Sequence, residues 1–134
     1  MLQPKCNVLL HIRVLIFIYM HSVFSVPPPS FSLDDISHIL RTEYSMEANV
    51  RELYSDRDQN FHVSNGEDDL ILKVSNPAEE RSVLDMQELA YEYIYERNPL
   101  IQIPRSVGRT CEIKKNSDRY LIRLLSFVPG DFLD

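Results

Sequence analysis

Lys73 is the first residue whose type and place could do chemistry. Between Arg57 and Arg81 it is the only lysine or arginine, and it stands inside the otherwise apolar run Leu70-Ile71-Leu72-Lys73-Val74. A cation in such a strand either carries its charge out to solvent along its stem or meets an anion. Upstream, Ser55-Asp56-Arg57-Asp58-Gln59-Asn60 is a polar loop with no glycine. It is therefore not a glycine-rich phosphate cradle. It reads as a charged surface loop, or as a polar flap whose backbone amides and the Gln59 or Asn60 side-chain amide approach phosphate oxygens. Downstream, Tyr120-Leu121-Ile122-Arg123-Leu124-Leu125 runs into Val128-Pro129-Gly130, a long strand pattern closed by turn residues.

The elements that must position these residues follow from capping and periodicity. Ser32 caps a helix with acids in its first turn, and Leu33, Ile36, Ile39 and Leu40 give that helix one apolar face up to about Tyr44. Strands are expected at Val50 to Tyr54, Phe61 to Ser64 and, after the tight turn Asn65-Gly66, Leu70 to Val74. Alternation puts Leu70, Leu72 and Val74 on one face of this meander, with Ile71 and Lys73 on the other. Asn76 as N-cap and Pro77 at the first helical position then predict a helix to about Arg97-Asn98-Pro99. Its stripe of Val83, Met86, Ala90 and Tyr93 or Ile94 is expected to pack in the core. Gly108 to Ile113 and Tyr120 to Phe127 complete the strands, joined by the polar turn Lys114 to Asp118. The fold class is α+β: a five-stranded antiparallel sheet with one main flanking helix and a short leading helix, without internal repeats.

Composition bounds the function. With 134 residues, 44% hydrophobic and 25% charged, the chain suits one modest globular domain. Net charge is −6, and because Lys5 and Arg13 are the only charges in the first 26 residues, positions 27–134 carry −8. An acidic body of that kind offers no basic face for phosphate backbones, so no nucleic-acid partner is expected. Cys6 and Cys111 fit no metal spacing and no disulfide framework, and read as ordinary thiols in a reducing compartment. Val8 to Val26 has the outline of a signal peptide around the apolar run Val14 to Met20, but His11, Arg13 and His21 interrupt it. No stable membrane span is expected. Residues 1–30 are read as a hydrophobic extension ending in the stiff linker Pro27-Pro28-Pro29, attached to a cytoplasmic domain; secretion is the alternative if residues 1–25 act as a signal.

Four ordered stretches carry a family likeness: Asp58-Gln59-Asn60-Phe61-His62-Val63, Ile71-Leu72-Lys73-Val74-Ser75-Asn76, Leu84-Asp85-Met86-Gln87, and Tyr120 to Leu125 with Val128-Pro129-Gly130. Together they resemble the aminoglycoside phosphotransferase-like superfamily of kinase-like folds, with the closest likeness to hydroxylysine kinases and to the phosphotransferase domain fused to some class III aminotransferases. The likeness runs over residues 31–134, the small lobe. It implies transfer of the terminal phosphate of GTP or ATP, with Mg2+, to the hydroxyl of a small amino-acid-like acceptor such as 5-hydroxylysine. By the same resemblance Lys73 would pair with the nucleotide phosphates, and Asn60 with Gln59 would belong to the phosphate-covering loop. Ser126, Phe127 and Val128 would form the hinge that reads the purine through its backbone. Kinase-like folds pair the strand lysine with a glutamate on the next helix, where this chain offers Asp85, Gln87 and Glu88; the sequence does not decide among them. A glutamine there would orient the lysine without neutralising it.

The resemblance also implies that the catalytic aspartate and the magnesium ligands lie in a large lobe beyond the hinge. Asp131 and Asp134 follow the hinge too closely to take those roles. The chain is accordingly expected to be a nucleotide-binding lobe, inactive alone. A second reading, from another class, is a non-catalytic binding module that keeps the lobe fold and uses its exposed underside against a partner.

Overall fold

The computed structural model describes residues 25–130. Helix α1 (Leu33–Tyr44) leads into strands β1 (Asn49–Leu53), β2 (Gln59–Ser64) and β3 (Asp69–Val74); helix α2 (Arg81–Arg97) and strands β4 (Cys111–Lys115) and β5 (Asp118–Ser126) follow. The five strands make one antiparallel sheet in the order β1-β2-β3-β5-β4. The named elements among the described residues, two helices and one five-stranded sheet, make the α+β arrangement expected from the sequence.

Helix α1 begins where its caps dictate. The Ser32 hydroxyl accepts the Asp35 amide at 3.1 Å, and the Asp35 carboxylate accepts the Ser32 amide at 2.9 Å, which closes a capping box. Lys115, from the far edge of the sheet, adds its ammonium to the same carboxylate at 2.7 Å. That contact, followed by the Ser32 amide, holds the Asp35 carboxyl at about 2, below its ordinary value. A depressed acid stabilises the fold fully above its unfolded pKa and loses that contribution as pH falls through the folded one. The stabilisation should therefore drain away between about pH 4 and pH 2. Asp35→Asn should flatten this limb of a urea-midpoint profile by about 0.5 kcal/mol, a small figure because the pair is half exposed and screened. A parallel profile in the variant would show that the box gains nothing from the charge.

The main core lies between α1 and one face of the sheet. Phe61, Leu72, Val74, Ile122 and Leu124 meet Ile36, Ile39 and Leu40 there, all buried, and Phe31 closes the end with its ring edge-on to Tyr120 at 5.0 Å. Strict alternation in β2 and β3 sends Phe61, Val63, Leu70, Leu72 and Val74 to this face. Tyr44, half-buried, donates to the carbonyls of Arg109 and Ile122 at 3.1 and 3.2 Å and so ties α1 to the segment entering β4; burial pushes its hydroxyl pKa up.

Four expectations are corrected. The second helix begins at Arg81 rather than Pro77, with Glu80 as an N-cap that makes no side-chain cap. Asn76 instead caps a single turn, accepting the Ala78 amide at 3.0 Å, while its buried NH2 group donates to the carbonyls of Val26, Pro27 and Arg57. The linker is thus fastened to the lobe. In α2 only Leu84 is buried, and Met86, Leu89 and Tyr93 of the apolar side are exposed, so the predicted stripe does not pack in the core. Strand β4 starts at Cys111 rather than Gly108, which has a left-handed φ of +78° and lies against the Tyr44 ring. Finally, the polar turn before β5 narrows to Asn116-Ser117, both at positive φ, the geometry of a two-residue hairpin. The signal-like run and Cys6 lie outside the described residues. Among the described residues no helix is long and apolar enough to cross a membrane.

Candidate functional site

The face of the sheet away from α1 carries the polar chemistry. Because side chains alternate, Asn60 of β2, Lys73 of β3 and Arg123 of β5 all point to it. Register then sets them in one row: Asn60 pairs with Lys73 across β2 and β3, and Lys73 pairs with Arg123 across β3 and β5. A cavity of about 320 Å³ opens over this row. Ile71 and Leu125 supply its apolar part, Gln87 and Tyr91 of α2 close one side, and Ser126, Phe127 and Val128 border it at the end of β5.

Helix α2 presents Leu84, Gln87, Glu88 and Tyr91 inward, the spacing of one helical face, while its remaining residues beyond Val83 are exposed. The inward face is mostly polar. Gln87 therefore reaches the cavity and accepts from Arg123 Nη1 at 3.3 Å, not from Lys73. Asp85 pairs instead with Arg81 on the outer surface at 3.8 Å, and Glu88 accepts the Ser106 and Thr110 hydroxyls at 2.7 and 3.5 Å. Neither carboxylate meets the strand lysine. The partner of Lys73 comes from the β1–β2 loop: Asp58 Oδ2 lies 2.9 Å from Lys73 Nζ, and Asp58 Oδ1 takes the Asn76 amide at 2.9 Å. Arg57 of the same loop pairs with Glu79, which fastens the loop to the turn before α2.

Gln59 and Asn60, adjacent in sequence, go to opposite faces because both belong to β2. Gln59 is buried on the core side, where it accepts the Phe31 amide at 2.8 Å and donates to the Phe31 carbonyl at 3.1 Å and to Glu52 at 2.7 Å. It clips the linker to the sheet and does not line the cavity. Asn60 does, and its Oδ1 is buried without a hydrogen-bond partner among the described residues. At the hinge, the Ser126 amide donates to Arg105 O at 2.8 Å and the Phe127 amide to Asp69 O at 3.2 Å, so neither is available to a base. The Phe127 ring stands edge-on to His62 at 5.5 Å. Val128 is the hinge residue that forms no hydrogen bond among the described residues.

Two charged residues of the site were not singled out from sequence: Asp58 and Arg123. Arg123 carried the same signal as Lys73, a cation inside the apolar run Tyr120 to Leu125, and it is only 3% exposed. Its Nε has no partner among the described residues. Among the described residues no cluster of three or more histidine, cysteine or carboxylate side chains could hold a metal ion, and no Asp or Glu lines the cavity. These residues thus do not by themselves fit a magnesium site. What the row can do is bind: a pair of cations, a buried acceptor at one end and a largely apolar slot leading to the end of β5.

No family model matches the chain, and no curated protein matches it by sequence. Among solved structures it is similar to a microcompartment-associated aminopropanol kinase, at 17% identity with a TM-score of 0.57. The match covers 72% of this chain and 32% of that one, so the chain spans about a third of the length of the kinase it matches. At this identity the likeness shows the fold alone: a kinase-like fold.

Proposed function

We propose that this chain provides the nucleotide-binding lobe of a small-molecule kinase, with the base held toward the hinge residues and the phosphates over Lys73. The observation that carries the reading is the cavity itself, which places Lys73 and Arg123 side by side at one part and Phe127 and Val128 at another. Cations ask for an anionic group, and an apolar slot suits a flat base. The kinase-like fold supports the same orientation. An amino-alcohol or hydroxylysine-like acceptor, and GTP or ATP as donor, are the substrates that the sequence resemblance favours. The catalytic base and the magnesium ligands would come from residues other than 25–130. The non-catalytic binding module shares every step up to nucleotide binding and departs from the kinase reading only at transfer.

The test is equilibrium binding of ATP and GTP, with and without magnesium, by the full chain. Either triphosphate should raise the Tm, and the free nucleosides should bind more weakly. Absence of binding by both triphosphates would remove the reading. An assay for phosphate transfer to 5-hydroxylysine is expected to stay blank, because no carboxylate among the described residues lines the cavity. Asp58 bears on the same site, since it occupies the Lys73 ammonium that a phosphate would take. Asp58→Asn keeps the acceptor for the Asn76 amide but removes the competing charge. Triphosphate affinity should then rise by about fivefold. A fall of similar size would mean that Asp58 organises the loop instead.

A further inference from the structure

Arg123 is a buried cation with no counter-charge among the described residues. It is 3% exposed, its Nη1 donates to the neutral amide of Gln87 at 3.3 Å, and its Nε has no partner among the described residues. Its place in the register is directly across from Lys73, where like charges repel. Lys73 has Asp58 to offset it, but Arg123 has no acid partner among the described residues. A buried charge without a partner destabilises the fold that contains it, so this one invites an anion from outside.

We propose that Arg123 is a second phosphate-binding cation, gripping the polyphosphate of the nucleotide together with Lys73. The inference rests on the nucleotide reading of the cavity and names what that reading left open. A planar guanidinium offers two parallel donors to phosphate oxygens, whereas the lysine supplies a compact point charge. Both can be met by one polyphosphate, which carries several charges along a short chain; a lone carboxylate would neutralise only one. At the other end of the row, the Asn60 acceptor, unpartnered among the described residues, faces the same cavity beside the phosphate position. Gln87 then acts as a positioning residue that holds the guanidinium toward the cavity from α2.

The experiment is calorimetric titration of the full chain with ATP, GTP, tripolyphosphate, adenosine and guanosine, for wild type, Arg123→Met and Arg123→Lys. Arg123→Met should weaken both triphosphates and tripolyphosphate by about 30-fold and leave nucleoside affinity within about twofold. The free variant should melt no lower than wild type, because an apolar isostere replaces an unpaired buried charge. A merely structural arginine would give the reverse: a lower Tm and unchanged anion affinity. Arg123→Lys keeps the charge but not the fork, so about a fivefold loss is expected, and unchanged affinity would overturn the two-oxygen contact. If wild type binds triphosphate and Arg123→Met binds it equally well, the inference fails while the nucleotide reading stands. If wild type binds neither triphosphate nor tripolyphosphate, both fail.

Discussion

Replacing Lys73 by methionine should weaken triphosphate binding by the full chain about 100-fold, through loss of a charge-assisted contact to phosphate in a partly desolvated site. Stability should barely change. The Lys73 side chain is 31% exposed, and its ion pair with Asp58 is of the partly solvated kind that contributes about 1 kcal/mol or less. Methionine preserves the stem that packs on the strand, so the comparison isolates the charge. Competition titration against a fluorescent nucleotide, alongside thermal melts, reads both quantities. Affinity within about threefold of wild type would make Lys73 an ordinary strand lysine paired to Asp58, and the phosphate end of the cavity would lose its anchor.

The opposite split is expected on the other face of the sheet, in the neighbouring strand β2. Phe61 is fully buried at the centre of the core that α1 and the sheet share. Phe61→Ala removes most of an aromatic side chain and leaves a cavity, at a cost of about 3–5 kcal/mol. That is a large share of the roughly 5–15 kcal/mol that holds a typical domain folded. Urea unfolding monitored by circular dichroism should show a much lower midpoint or a chain already unfolded. A loss below about 1 kcal/mol would mean that β2 does not carry the core. Together the two variants separate the faces: Lys73 governs affinity, and Phe61 governs stability.

The strands and the first helix were legible because their signals are local. Ser32 with Asp35, the alternation through Leu70 to Val74, and the turn residues at Asn65-Gly66 each act within a few residues. Helix α2 misled for a physical reason. Apolar periodicity marks the inward face only when that face packs against core, and here the inward face is Leu84, Gln87, Glu88 and Tyr91 because it borders a polar cavity. The row of Asn60, Lys73 and Arg123 was half legible. Lys73 was visible as a cation in an apolar strand, but Asn60 was assigned to the preceding loop and Arg123 was not singled out, because their alignment depends on cross-strand register, for Lys73 and Arg123 between segments some fifty residues apart. Gln59 shows how narrow the margin is. With β2 starting at Phe61, as expected, both amides stay in a loop, and only the observed start at Gln59 sends the two to opposite faces.

The central claim, that the cavity over β2, β3 and β5 holds a nucleotide, is tested most directly by amide chemical-shift mapping. Uniformly 15N-labelled full chain would be titrated with ATP and, separately, GTP. The account predicts shifts concentrated at Asn60, Lys73, Gln87, Arg123, Phe127 and Val128, with the α1 amides of Ile36 to Leu40 unmoved. Adenosine or guanosine alone should shift the Phe127–Val128 end and spare Lys73 and Arg123. Shifts centred on α1, or no saturable shifts with either triphosphate, would contradict it.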